Sequence, residues 1–184
     1  MFDTVRPILY RHRRRMIPVL PSTASSITLS APWDSTLQNE RFLLFDNESE
    51  RRLLIFGSRR HLELLASSTK IMGDGTFYAA PNHFTQMYTL HGKKFGHFFP
   101  LVYGFLPDKA ETTYITFFQK VKDALTENSF EIHCEKMILD FENAAHSAVQ
   151  TVFPSIQRKG CTFHFGQCLW RKLQQFHLAT VSLT

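Results

Sequence analysis

From Lys70 onward the apolar positions change period in an ordered way. "KIMGDGTFYAAP", "TQMYTLHGKKFG" and "HFFPLVYGFLPDK" are three strand-like runs separated by Pro-Asn-His and Gly-containing turns, short enough for an antiparallel meander. In "DKAETTYITFFQKVKDALTEN" the period switches. Tyr114, Phe117, Phe118, Val121 and Leu125 fall at i, i+3, i+4, i+7 and i+11, one face of a helix, with Asp108 placed to cap its first turn and Glu111 three residues on. "EKMILDFE" is a short apolar run closed by an acid. "NAAHSAVQTVFP" predicts a second helix with Ala144, Ala145, Ala148, Val149 and Val152 inward, stopped at Pro154. "IQRKGCTFHF" is a last strand candidate, and "FGQCLWRKLQQF" a last helix with Phe165, Leu169, Leu173 and Phe176 inward. The order βββαβαβα predicts an α/β fold: a mixed sheet of three antiparallel strands followed by parallel ones, with helices covering its faces.

Ahead of this region, "RFLLFDNESERRLLIFGS" is two apolar runs around a charged turn, a hairpin pattern, and "RRHLELLASS" is a short helix. Residues 1–40 hold "RHRRR" and a Pro- and Ser-rich stretch without a sustained period, the pattern of a flexible basic arm. The expected division is an arm at 1–40, hairpin and helix at 41–69, the main domain at 70–178 and a tail at 179–184.

Composition narrows the class. The 184 residues are 43% hydrophobic with 18 Phe, which reads as globular. The apolar stretch "FFPLVYGFL" is about half the roughly 20 residues that span a bilayer, so no membrane anchor is expected. The N-terminus lacks the uninterrupted apolar region of a signal peptide, and three cysteines make no disulfide framework; an intracellular protein is expected. Charge is segregated. Residues 1–60 carry ten Arg against six acids, a net +4; residues 61–142 carry seven Lys against ten acids, a net −3. Residues 143–184 carry Arg158, Lys159, Arg171 and Lys172 and no acid, a net +4. Both flanks would attract a polyanion such as nucleic acid, although basic residues also simply solvate loops and helix faces.

The chemistry concentrates in two similar runs. "KIMGD" and "KMILD" each place an aspartate at the carboxyl end of a strand. Taken alone, "IMGDGTF" is a turn signal, because Asp-Gly between apolar runs favours a hairpin. In the predicted topology, however, the fourth strand lies parallel beside the first, and Asp74 and Asp140 meet at the sheet edge where α/β ligands bind. Paired carboxylates suit Mg²⁺ or Mn²⁺, and two such ions about 3.5 to 4 Å apart serve phosphoryl transfer. Gly73 and Gly75 would then leave the backbone around Asp74 uncrowded for a bulky phosphodiester.

"GDGTF", "YTLHG", "PLVYGFLPDK", "LDFENAA" and "GCTFHFGQCLWRKLQ" together resemble the catalytic domain of Mutator-like element (MULE) transposases, from about Phe42 to Leu178. The resemblance implies a ribonuclease H-like fold and DNA transposition and recombination through an Asp, Asp, Glu (DDE) site using Mg²⁺ or Mn²⁺. Its DNA partners would be transposon ends and target DNA, in the nucleus. Asp74 matches the first catalytic aspartate and Asp140 the second. Cys161 and His164 match the Cys-x-x-His element that lies between the second aspartate and the final glutamate. No Asp or Glu follows Glu142, so the expectation is a C-terminally incomplete or remnant copy, with a domesticated, non-catalytic nucleic-acid-binding or interaction module as the alternative.

Glu142 is a further metal candidate, or else it caps the following helix, where its charge favours the N-terminal dipole. Cys161 and His164 supply half of a four-ligand zinc site, which Cys168 and His177 could complete; packing and hydrogen bonding are the favoured roles, so zinc is not expected. His91, His97 and His133 show no ligand spacing. Arg158, Lys159, Arg171 and Lys172 are candidate phosphate contacts, or a solvated face. "RHRRR" is a candidate nuclear-import or DNA-contacting patch.

Overall fold

The computed structural model describes Pro7, Tyr10, Arg11, residues 21–176 and Leu178. Most of "RHRRR", together with His177 and the 179–184 tail, lies outside the described residues. Strands β1 (Leu43–Asp46) and β2 (Leu54–Phe56) precede helix α1 (Arg59–Ala66). Then follow β3 (Lys70–Thr76), β4 (Gln86–Lys94), β5 (His97–Leu106), α2 (Glu111–Glu127), β6 (Lys136–Leu139), α3 (Asn143–Val152), β7 (Gln157–Gly160) and α4 (Thr162–Gln175). Together they form a mixed α/β structure whose seven-stranded sheet runs β1-β2-β5-β4-β3-β6-β7. β4 lies between β3 and β5 and runs antiparallel to both, β6 lies parallel to β3, and β7 parallel to β6. This arrangement is compatible with a ribonuclease H-like fold.

The core lies on one face of the sheet. Ile71, Tyr88, Leu90, Val102, Met137 and Leu139 point into it and meet Tyr114, Phe117, Phe118, Val121 and Leu125 of α2 and Ala145, Ala148 and Val149 of α3. The helical period of α2 is therefore the one read from sequence. Tyr88 packs edge-on to Tyr114, Phe117 and Phe118 at ring separations of 5.2, 5.5 and 6.1 Å. α1 packs on β4, β5 and α2.

Three local readings change. α2 starts after Ala110, with no side-chain cap, so Asp108 stands two residues ahead of the cap position. There its Oδ1 accepts the Ala110 N–H and the Thr113 hydroxyl, at 2.8 and 2.7 Å. The last strand ends at Gly160 rather than running on through "CTFHF": Cys161 N–H donates to Leu139 O at 2.8 Å, and Phe165 N–H then closes a helical turn on Cys161 O. The alternation of Phe163 and Phe165 with Thr162 and His164 mimics a strand, yet both rings are exposed. α4 also buries none of its side chains among the described residues, so Phe165, Leu169, Leu173 and Phe176 form an apolar face that is not inward. Ala24 and Ser25 contact the β1–β2 hairpin. The buried Arg52 guanidinium donates to Asp46 Oδ1 and Oδ2 at 2.9 and 2.5 Å, and also to Ala24 O and Ser25 O.

Among the described residues, no helix is long and apolar enough to cross a membrane.

Candidate metal centre

Strand alternation decides which way each aspartate points. In β3, Ile71 and Gly73 face the helical core, so Met72 and Asp74 face the other side; in β6, Met137 and Leu139 face the core. The parallel register pairs Gly73 with Leu139, which sets Asp74 and Asp140 side by side at the carboxyl ends of adjacent strands. Asp74 is not in a turn: it sits inside β3, opposite Thr89 of β4.

The glycines flanking Asp74 answer to the opposite face. A Cβ on Gly73 would stand 2.5 Å from Tyr88 Oη and 2.9 Å from Leu139 Cδ2, and one on Gly75 would stand 2.6 Å from Gln86 Oε1. They make room for the buried Tyr88 ring and Gln86, not for a ligand beside Asp74, which corrects the expectation from sequence.

α4 completes the site. Cys161 is its N-cap residue and His164 stands three positions on, so the two share one side of the first turn. The Cys161 N–H bond to Leu139 O fixes that turn next to Asp140. His164 lies between the carboxylates, with Nε2 3.7 Å from Asp74 Oδ1 and Nδ1 against Asp140 Oδ1. Side chains of all three are 28–33% exposed. Asp140 Oδ1 and His164 Nδ1 form an ion-pair contact, and both atoms are buried with no other hydrogen-bond partner among the described residues. One ligand atom each from Asp140, Cys161 and His164 lie within 4.8 Å of one another. Burial pushes the Asp140 carboxyl above its ordinary value, and the charges of Asp74 and Glu142 add to this; His164 and the Gly75 N–H oppose it. Such crowding of negative charge is relieved by a cation, and the donor atoms fit one.

Glu142 is the N-cap residue of α3 by position, but its carboxylate does not cap the helix. It accepts a 2.9 Å hydrogen bond from the Tyr114 hydroxyl and lies 3.8 Å from Lys109 Nζ. Tyr114 in turn accepts from the buried Gln86 Nε2 at 2.6 Å. Burial raises the Tyr114 phenol far above its ordinary value, with Gln86 opposing and Glu142 adding, so it stays a neutral donor. Neither Tyr114 nor Gln86 carries a sequence signal for this role, because helical period and strand alternation already account for both as core positions. His91, opposite Met72, shares the face of Asp74, and its Nδ1 is buried without a hydrogen-bond partner among the described residues. Burial lowers its pKa, with Asp74 opposing.

Cys168 is exposed on α4 and outside the cluster. Arg158 donates to His146 O at 3.0 Å, and Lys172 to Gln175 Oε1 at 3.1 Å, whereas Lys159 and Arg171 have no side-chain partner among the described residues.

The model of the MULE transposase domain family matches residues 71–167, a span that holds Asp74, Asp140, Glu142, Cys161 and His164. The chain belongs to the MULE transposase domain family. Membership points to transposase-family function, with DNA as the general partner and a divalent metal ion as cofactor. No curated protein and no solved structure matches the chain.

Proposed function

We propose that this MULE domain acts on DNA by metal-dependent strand cleavage and joining on a ribonuclease H-like sheet, with Asp74 and Asp140 as the metal-holding carboxylates. One observation carries the reading: the Gly73–Leu139 register delivers both carboxylates to the same face and the same strand ends, with an imidazole between them. Mg²⁺ or Mn²⁺ bound there would supply Lewis acidity toward phosphoryl oxygens and lower the pKa of an attacking water. The protein's part is to hold the ligands. Gly73 lets β3 close on Tyr88, so Asp74 is carried by a well-packed strand; the Cys161 N–H bond keeps His164 over both acids. Lys159 and Arg171 offer charge to DNA phosphates from β7 and α4.

A second reading is a non-catalytic nucleic-acid-binding module. It is favoured by the engagement of Glu142 with Tyr114 and Lys109 instead of the Asp74–Asp140 pair. Purified protein incubated with supercoiled plasmid and Mn²⁺, beside an Asp74→Asn, Asp140→Asn double variant, separates the two. Slow nicking by the wild type that the double variant lacks supports catalysis. Equal inertness with retained DNA binding by both supports the binding module.

A further inference from the structure

We propose that Asp140, Cys161 and His164 form a site for a borderline-soft divalent ion of the Zn²⁺ type, selective against Mg²⁺; this rests on reading Asp140 as a metal ligand. The sequence offered two zinc donors at Cys-x-x-His spacing, too few to count as a site. The sheet supplies the third, because the backbone bond from Cys161 N–H to Leu139 O sets the thiol beside the strand end that carries Asp140.

Three features separate this cluster from a packed thiol and a hydrogen-bonded imidazole. The three donor atoms lie within 4.8 Å of one another; around a tetrahedral zinc with bonds of about 2.0 to 2.3 Å, ligand atoms stand roughly 3.3 to 3.7 Å apart, so small side-chain rotations suffice. The Asp140 carboxylate lies against the His164 ring nitrogen, so two of the three donors already meet at one point. Cys161 is buried, so its sulfur is presented to the cluster and not to solvent.

Donor chemistry then selects the ion. Thiolate and imidazole are poor ligands for Mg²⁺, which demands oxygen, whereas Cys, His and Asp together suit Zn²⁺. Three protein ligands leave one tetrahedral position open, as catalytic zinc sites do. Asp74 meets the other ring nitrogen of His164 and stays outside the cluster. On binding, the Cys161 S–H bond breaks, its proton passes to solvent, and the sulfur lone pair forms the metal bond. The ion would also staple α4 to the sheet. That helix buries no side chain among the described residues, so little apolar packing holds its first turn.

Titration of the metal-free full chain with Co²⁺, a spectroscopic stand-in for Zn²⁺, tests the site. One equivalent should raise a near-ultraviolet thiolate-to-cobalt charge-transfer band that Zn²⁺ abolishes and excess Mg²⁺ does not. The band should persist in Cys168→Ser and vanish in Cys161→Ser, and Zn²⁺ affinity should fall by at least about tenfold in His164→Ala. No band in the wild type, or a band lost in Cys168→Ser but kept in Cys161→Ser, overturns the site. Because the wild-type spectrum is itself decisive, a variant that fails to fold does not blunt the test. If the band is missing while Mn²⁺ binding still depends on Asp74 and Asp140, this inference fails and the proposed function stands. If no divalent ion binds in an Asp140-dependent way, both fail.

Discussion

At the scale of single residues, two adjacent carboxylates share whatever cation they hold, so removing one charge weakens binding without abolishing it. Asp74→Asn and Asp140→Asn should each lower Mn²⁺ affinity, measured by calorimetry, with the double variant close to silent. Equal affinity in the wild type and Asp74→Asn would remove Asp74 from the ligand set. Gly73 carries a different prediction. Gly73→Ala presses a methyl against Tyr88 Oη and Leu139 Cδ2. It should cost about 1 to 3 kcal/mol in a denaturant titration. Tyr88→Phe removes an oxygen that is buried without a hydrogen-bond partner among the described residues and should be close to neutral by itself. In that background Gly73→Ala should cost less. Additive costs would mean that the contact is not the cause.

At the scale of elements, the start of α2 depends on Asp108. Burial raises its pKa, but the Ala110 N–H, the Thr113 hydroxyl and Arg51 outweigh burial and hold it below the ordinary aspartate value. A depressed folded pKa means stability that is present above the unfolded value and lost as pH falls through the folded one. The gap in thermal midpoint between wild type and Asp108→Ala should therefore be full near neutral pH and close progressively as pH falls below about 4. A gap that stays constant with pH would assign the effect to packing. α4 is the opposite kind of element, with amphipathic spacing legible in the sequence but no side chain buried among the described residues. Periodicity tells that a helix has an apolar face, not what covers it.

At the scale of the molecule, charge would set the manner of the proposed DNA binding. The acid-free 143–184 segment and the arginine-rich first 60 residues flank an acidic middle. These flanks offer charge to phosphates, which carry no sequence information, so binding should be weakly sequence-selective and fall steeply with salt as counterions are released. Duplex titrations at two salt concentrations check this. An affinity independent of salt would contradict it. Basic residues of β7 have a second effect, since charge on this edge strand discourages pairing with another sheet.

The sequence by itself determined the order of elements and the core-facing side of α2, because a 3.6-residue period and a two-residue alternation are local consequences of backbone geometry. It also determined that Asp74 and Asp140 close two similar apolar runs. Only tertiary structure decided the rest. Which carboxylate meets which donor depends on the register between β3 and β6, a pairing between residues 66 positions apart in the chain. Why Gly73 and Gly75 are glycines depends on side chains from β4. Whether "CTFHF" continues a strand or turns into a helix depends on where the ladder with β6 runs out, and that end point brings the thiol and imidazole to Asp140. Local spacing cannot encode such contacts, because they arise between segments whose approach is set by the sheet.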